Sequence, residues 1–376
     1  MRERLGSTSL EKPTVWFVSA NGPHRGALMT ALLSLYQVAT FGTPAEAIQS
    51  TAPKPSVLIA DELPAPRDGI GCILLLQESA ALRGIPLIFM STRDDPKLLE
   101  KVTHLGADWF LLKPYRRSAL YEAVSTLANK AIEDGWKKLP EYPRVALQKS
   151  VEVYREFAIV AEGRQPLDFL SVMAACGPVL DATAAGQAGV ILTGVNGHDN
   201  YPFAHSMRTA TLLGLFAQAI GLPRDRQLVM ASAGLMFDMG KLAIAPDILN
   251  KQGRITEGEM QVLRSHVGFS LKFLSATGEI PRNILTIAEQ HHERLDGSGY
   301  PAGLSGSQIN ELARMAAIVD VYCGLTDNRV YKVGFTPERA LAQMSGDMGA
   351  QLDQKMLALF KSRLLDSIGG GTKAAS

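Results

Sequence analysis

The hydrophobic period of this chain changes once, near residue 130, and that change limits the folds open to it. Before it, the runs "TVWFVSA", "YQVATFG", "SVLIAD", "PLIFMST" and "DWFLLKP" are short and rich in β-branched or aromatic residues. They alternate with helical stretches such as "GALMTALLSLY" and "DPKLLEKVTHLG". Five strands separated by helices predict a parallel, doubly wound, flavodoxin-like α/β domain over residues 14–130. Beyond about residue 165 the apolar spacing is helical throughout, as in "FAHSMRTATLLGLFAQAIGL" and "ARMAAIVDVYCGLTDNRVY". That spacing predicts an all-helical domain over 166–368. Residues 131–165 read as a helical connector, with Pro140 and Pro143 marking a break in it.

Bulk properties narrow the function classes. A chain of 376 residues has room for two or three domains. Its 38 basic and 37 acidic residues leave a net charge of +1, so no global field favours nucleic acid or an anionic membrane. No run of 18 apolar residues occurs, and the N-terminus is charged, so the expectation is a cytoplasmic protein without membrane insertion. Cys72, Cys176 and Cys323 are far apart and form neither a disulfide framework nor a zinc knuckle. The tail "GGGTKAAS" reads as lying outside the fold.

In the first half, Asp61, Ser91 and Lys113 each end a strand. The carboxyl edge of a doubly wound sheet faces its ligand crevice, so all three are expected on one edge. A carboxylate, a hydroxyl and an ammonium there suit the acceptance of a phosphoryl group. This arrangement resembles the receiver domain of bacterial response regulators, with Asp61 at the phosphoacceptor, Ser91 at the switch hydroxyl and Lys113 at the lysine before a proline. The acidic pair that holds Mg²⁺ in that family is replaced by Ser19 and Ala20. A lone Asp61 is a poor cage for a hard cation, so no Mg²⁺ is expected at this site, and docking or dimerisation is favoured over phosphorylation.

The second half carries four of the seven histidines in contexts that can point inward: His205, His266, His291 and His292. Asp238 follows Phe237, and Asp320 sits within the apolar helix "AAIVDVYCG", where a carboxylate needs a charge partner or a metal. Imidazole and carboxylate donors suit divalent Fe, Mn or Zn. On a helix the neighbours His291 and His292 diverge by roughly 100°, which suits two ions better than one.

Taken in order, these residues and the segment "HHERLDGSGYP" resemble the HD-GYP family of the HD phosphohydrolase superfamily over about residues 168–365. The segments "LNKQGRITEGE" and "DNRVYK" fit its pattern as well. The resemblance implies a helical domain hydrolysing cyclic di-GMP at a two- or three-metal centre, with iron or manganese favoured over zinc. It places His205, Asp238, His266, His291, His292 and Asp320 at metal ligands, Asp238 as the bridging carboxylate, Lys241 near the substrate phosphate, and Gly299, Tyr300 and Pro301 in the loop beside the ligand.

Two departures bear on activity. The family's His-Asp doublet reads Phe237-Asp238, which removes a ligand from the ion shared by His205, Asp238 and Asp320. The Asp usual after "DVY" is Cys323. The literal His198-Asp199 lacks the following Gly-Lys and matches a loop rather than the site, and Tyr201 stands where some members carry a third-metal Glu. The expectation is one well-held ion, at most two, and a cyclic-di-GMP signalling protein that binds ligand or protein partners, as a homodimer, with weak or absent phosphodiesterase activity. The alternatives are an active phosphodiesterase with a remodelled site and a ligand-free scaffold.

Overall fold

The computed structural model describes residues 13–33, 36–62, 70–161, 163, 165–196, 198, 201–249, 251, 253–278, 280–327 and 334–369. It divides into two compact units, Met1–Ala131 and Ile132–Ser376.

The first unit is the α/β sheet expected from the strand runs. Strands β1 (Thr14–Val18), β2 (Gln37–Phe41), β3 (Val57–Asp61), β4 (Leu87–Ser91) and β5 (Trp109–Leu112) pair in parallel in the order β2-β1-β3-β4-β5. Helices α1 (Gly22–Leu32), α2 (Pro44–Ile48), α3 (Gly71–Glu78), α4 (Pro96–His104) and α5 (Arg117–Gly135) follow the strands. β1, β3 and β4 are buried on both faces, which explains their continuous apolar runs. Alternate side chains serve two cores: Trp16, Leu58 and Phe89 one, Phe17, Ile59 and Met90 the other. The helix starts obey local chemistry, since the side chains of Asn21, Thr43 and Asp95 each accept a backbone N–H at the start of α1, α2 and α4.

The second unit is helical. A short 3₁₀ turn, Trp136–Lys138, separates α5 from α6 (Glu141–Ala161). There follow α7 (Phe169–Ala184), α8 (Ala188–Gly194), α9 (Tyr201–Ala219), α10 (Arg224–Met236), α11 (Pro246–Leu249), α12 (Glu257–Arg264), α13 (His266–Ser275), α14 (Arg282–Gln290), α15 (Glu311–Thr326), α16 (Pro337–Ser345) and α17 (Gln354–Gly369). α6 lies within the stretch read as a connector, yet its Val151, Tyr154 and Phe157 belong to the core of this unit, packed with α7. Its apolar face is a core stripe, not a linker surface. The seven residues Met230–Met236 of α10 are all buried, so the second half of α10 runs through the core. Gly234 allows this: a Cβ there would lie 2.7 Å from the Ala210 Cα, so only glycine lets α10 close on α9. No described helix is long and apolar enough to cross a membrane.

Candidate metal centre

Asp238 follows directly on α10 and opens a 3₁₀ turn, Met239–Ala243, that lies against α13. Gly240 sets the separation. A Cβ at Gly240 would stand 2.0 Å from the His266 carbonyl oxygen, and its N–H donates to Ser270 Oγ at 2.8 Å. The close approach brings His266 Nε2 to 3.2 Å from Asp238 Oδ1, and α14 delivers His291 Nε2 to 3.6 Å from the same oxygen. On the other side His205 of α9 reaches Asp238 Oδ2 at 3.4 Å and Asp320 Oδ1 at 3.1 Å.

Two groups with a shared carboxylate result. Asp238, His266, His291 and His292 each offer one donor atom, all within 4.8 Å of one another, and so do His205, Asp238 and Asp320. The expected divergence of His291 and His292 is not found. α14 ends at Gln290, His291 is its C-terminal cap, and the pair lies in the turn beyond, with ring centroids 4.0 Å apart. The helical angle therefore does not apply, and both rings serve one group.

The protons can be placed from the partners. His266 Nδ1 lies 2.6 Å from the Leu263 carbonyl and His291 Nδ1 3.0 Å from that of Ala288. A carbonyl only accepts, so both Nδ1 atoms carry a proton, and both Nε2 atoms turn inward, where each is a metal donor when the ring is neutral. His292 Nε2 faces His266 Nε2 at 3.2 Å. His291 Nε2 and Asp238 Oδ1 are buried with no hydrogen-bond partner. Imidazole nitrogens converging on a buried carboxylate oxygen need protons or a cation between them. The residues present thus fit a divalent ion in the four-residue group.

Electrostatics agree. Burial alone would raise the Asp238 pKa, but the Lys241 ammonium, 2.5 Å from Oδ2, and the surrounding imidazoles hold the carboxyl well below its usual range. Asp320 is lowered in the same way against its burial, by His205 and His292. Burial, reinforced by the neighbouring His291, keeps the His292 pKa well below the ordinary imidazole value, so His292 is a neutral donor. His205 goes the other way: burial disfavours its charge, yet the carboxylates of Asp238, Asp320 and Asp327 push it up to about 10.

Phe237 is fully buried in the core, its ring 4.4 Å from that of His291. It brings no donor atom. Cys323 is fully buried and its thiol is pushed well up, first by burial and then by Asp327, so it is a neutral core residue outside both groups. His198 lies apart from the two groups, 3.4 Å from Glu133 and stacked on Trp136. Asp199 and most of "DNRVYK", residues 328–332, lie outside the described residues, as does the side chain of Tyr201.

Of Gly299, Tyr300 and Pro301, Tyr300 borders the centre. Tyr300 stacks on His292 with centroids 4.6 Å apart. Three residues escaped the sequence reading. Asp327 accepts the His205 Nδ1 proton at 2.7 Å and pairs with Arg208. Glu293 pins the loop by accepting the N–H groups of Ala302 at 2.7 Å and Leu304 at 2.9 Å. The Arg264 guanidinium lies 4.9 Å from the Tyr300 ring centroid. Asp327 was detectable as a carboxylate seven residues after Asp320, where the apolar helical run ends and the residue caps α15. Arg264 carried no such signal.

In the first unit the structure joins Asp61 and Lys113 at 2.9 Å, and adds Ser19 and His24. Ser91 is buried at the same edge but donates to Glu62 at 2.6 Å instead.

Residues 195–356 match a family described as the HD domain. The cyclic di-GMP phosphodiesterase response regulator RpfG of Xanthomonas campestris is 29% identical over 345 residues, covering 90% of this chain and 84% of that protein. The cyclic di-GMP phosphodiesterase PA4108 of Pseudomonas aeruginosa is 36% identical over 147 residues, 39% of this chain and 36% of that protein. The 3'3'-cGAMP-specific phosphodiesterase 1 of Vibrio cholerae is 37% identical over 139 residues, 37% of this chain and 32% of that protein. The chain thus spans most of the first relative and about a third of the other two. The HD-domain match lies within its C-terminal unit. Residues 195–356, which include the paired histidines and the Gly-Tyr-Pro loop, are thus similar to HD domains, and the N-terminal unit is a five-stranded parallel α/β fold.

Proposed function

We propose that the C-terminal unit binds cyclic di-GMP at a metal centre with one complete and one deficient half, and that its phosphodiesterase activity is weak or absent. The observation that carries this reading is the pair of partnerless buried atoms, His291 Nε2 and Asp238 Oδ1, beside an apolar Phe237. Asp238, His266, His291 and His292 would hold one ion. His205, Asp238 and Asp320 offer three donors to a second, and Phe237 supplies no fourth. Nitrogen and carboxylate donors suit divalent Fe, Mn or Zn, and the resemblance to the HD-GYP family favours iron or manganese among them.

Divalent ions bound there would polarise the phosphodiester and activate the attacking water. The chain's own residues do the rest. Asp327 accepts the His205 Nδ1 proton and so orients Nε2 toward Asp238 and Asp320. Lys241 places an ammonium beside the centre, where a phosphate oxygen of the ligand accepts its proton. Glu293 holds the Gly-Tyr-Pro loop so that Tyr300 backs His292. Loss of a partner one shell further out costs about 10–100-fold in affinity or activity, and loss of a direct ligand costs at least that. Ligand binding therefore outlasts turnover. The names of the relatives support a cyclic dinucleotide as ligand.

The test is hydrolysis of cyclic di-GMP by the whole chain, loaded anaerobically with Fe²⁺ or Mn²⁺, beside Phe237→His. Metal content and affinity for cyclic di-GMP and 3'3'-cGAMP are read on the same samples. The expected result is binding by both proteins and turnover by the variant alone. Turnover of the native chain at the variant's rate refutes the deficient half, and no nucleotide binding leaves a scaffold.

A further inference from the structure

The receiver-like unit implies a Mg²⁺ ion beside Asp61, and the residues present do not fit one. Asp61 lies at the end of β3 and is buried. Its Oδ2 accepts the Ser19 hydroxyl at 2.5 Å and faces His24 Nδ1 at 2.8 Å, and its Oδ1 accepts the Lys113 ammonium at 2.9 Å. A carboxylate only accepts, so His24 Nδ1 bears a proton directed at it. The other ring nitrogen, Nε2, meets Tyr115 Oη at 2.7 Å. Both oxygens of Asp61 are thus engaged by donors from β1's end, α1 and the segment after β5. Mg²⁺ needs near-octahedral oxygen ligands at about 2.0–2.1 Å, and an imidazole N–H and an ammonium repel it from Asp61.

The second half of a receiver's switch is engaged separately. Ser91 donates to Glu62 Oε2 at 2.6 Å and accepts the Arg93 backbone N–H at 2.9 Å, while the Arg93 guanidinium pairs with Glu62. Neither the carboxylate nor the hydroxyl is left for a phosphoryl group.

We propose that His24 stands in for the divalent cation at Asp61, so that the N-terminal unit holds a single conformation without Mg²⁺ and without aspartyl phosphorylation. The histidine is an N–H donor in place of a positive ion, tethered through Tyr115 to the segment after β5. Consistent with this, Asp61 is held below its usual pKa against its burial, by His24, Ser19 and Lys113.

The experiment uses the full chain. It is incubated with acetyl phosphate and Mg²⁺ and its intact mass measured, and Mg²⁺ is titrated while thermal unfolding is followed, with Asp61→Asn in parallel to separate this site from the C-terminal centre. The expected result is no added phosphoryl mass, and a Mg²⁺-induced shift in Tm, if any, that is the same in the native chain and in Asp61→Asn. A phosphoryl adduct or a Mg²⁺ shift that Asp61→Asn abolishes overturns the proposal. These arms need no variant of His24. A cycle of His24→Ala, Asp61→Asn and the double variant adds the pairwise test: the double loss in Tm is expected to be smaller than the sum of the single losses. Additive losses refute a direct His24–Asp61 bond.

Discussion

Replacing Phe237 by histidine should make the metal-free protein less stable and the metal-loaded protein disproportionately more so. Phe237 is fully buried against His291. Its burial is worth about 1.5–3 kcal/mol, and an imidazole keeps only part of that. The new nitrogens enter an apolar pocket, where an unpartnered polar group costs about 1–3 kcal/mol. Together the metal-free variant should lose about 2–4 kcal/mol. For a unit of this size a kcal/mol moves Tm by about 2–4 °C, so the metal-free Tm should fall by roughly 4–16 °C. An ion at a hundred times its Kd returns about 2.7 kcal/mol. The native chain gains that increment once, through Asp238, His266, His291 and His292. The variant gains a second at His205, Asp238 and Asp320, so its metal-induced rise in Tm should be about twice the native one. Thermal unfolding with chelator and with Mn²⁺ measures both numbers. Equal rises in the two proteins would falsify the deficient-site reasoning, whatever the activity.

Four further outcomes are expected. Asp327→Asn leaves the fold intact but weakens the hold on His205, and equilibrium dialysis should show metal affinity at that half about 10–100-fold lower, once Phe237→His has completed it. Gly240→Ala forces a Cβ against the His266 carbonyl and should cost at least about 1–3 kcal/mol in chemical denaturation, with metal binding lost together with stability. Glu293→Gln keeps the side-chain shape but weakens two charge-assisted bonds to the loop after Tyr300, so affinity for cyclic di-GMP should fall while bound metal is unchanged. The depressed pKa of Asp61 stabilises the N-terminal unit above the unfolded carboxyl's value, and this is lost as pH falls through the folded value. Asp61→Asn should therefore be less stable than the native chain at neutral pH, and the gap should close in acid. A gap unchanged by pH would show that Asp61 contributes no linkage.

The period of the apolar residues by itself determined the fold classes. Continuous β-branched runs buried on both faces can only be inner strands of a parallel sheet, and helical spacing beyond residue 165 leaves no strand to pair. Residue type and order made Asp238, the four histidines and Asp320 candidates, and their resemblance as an ordered set to the HD-GYP family is what named them as ligands. Two features decided only in three dimensions escaped that logic. The angle between His291 and His292 depended on where α14 stops, a matter of one residue that the sequence pattern does not resolve. The closure of the Asp61 pocket by His24 joins residues 37 positions apart through one ring nitrogen, and no local pattern encodes such a contact. Propensity and period act along the chain, whereas a donor finds its acceptor only after β1 and β3 are paired. The sequence names the groups; the packing at Gly234 and Gly240 decides which of them meet.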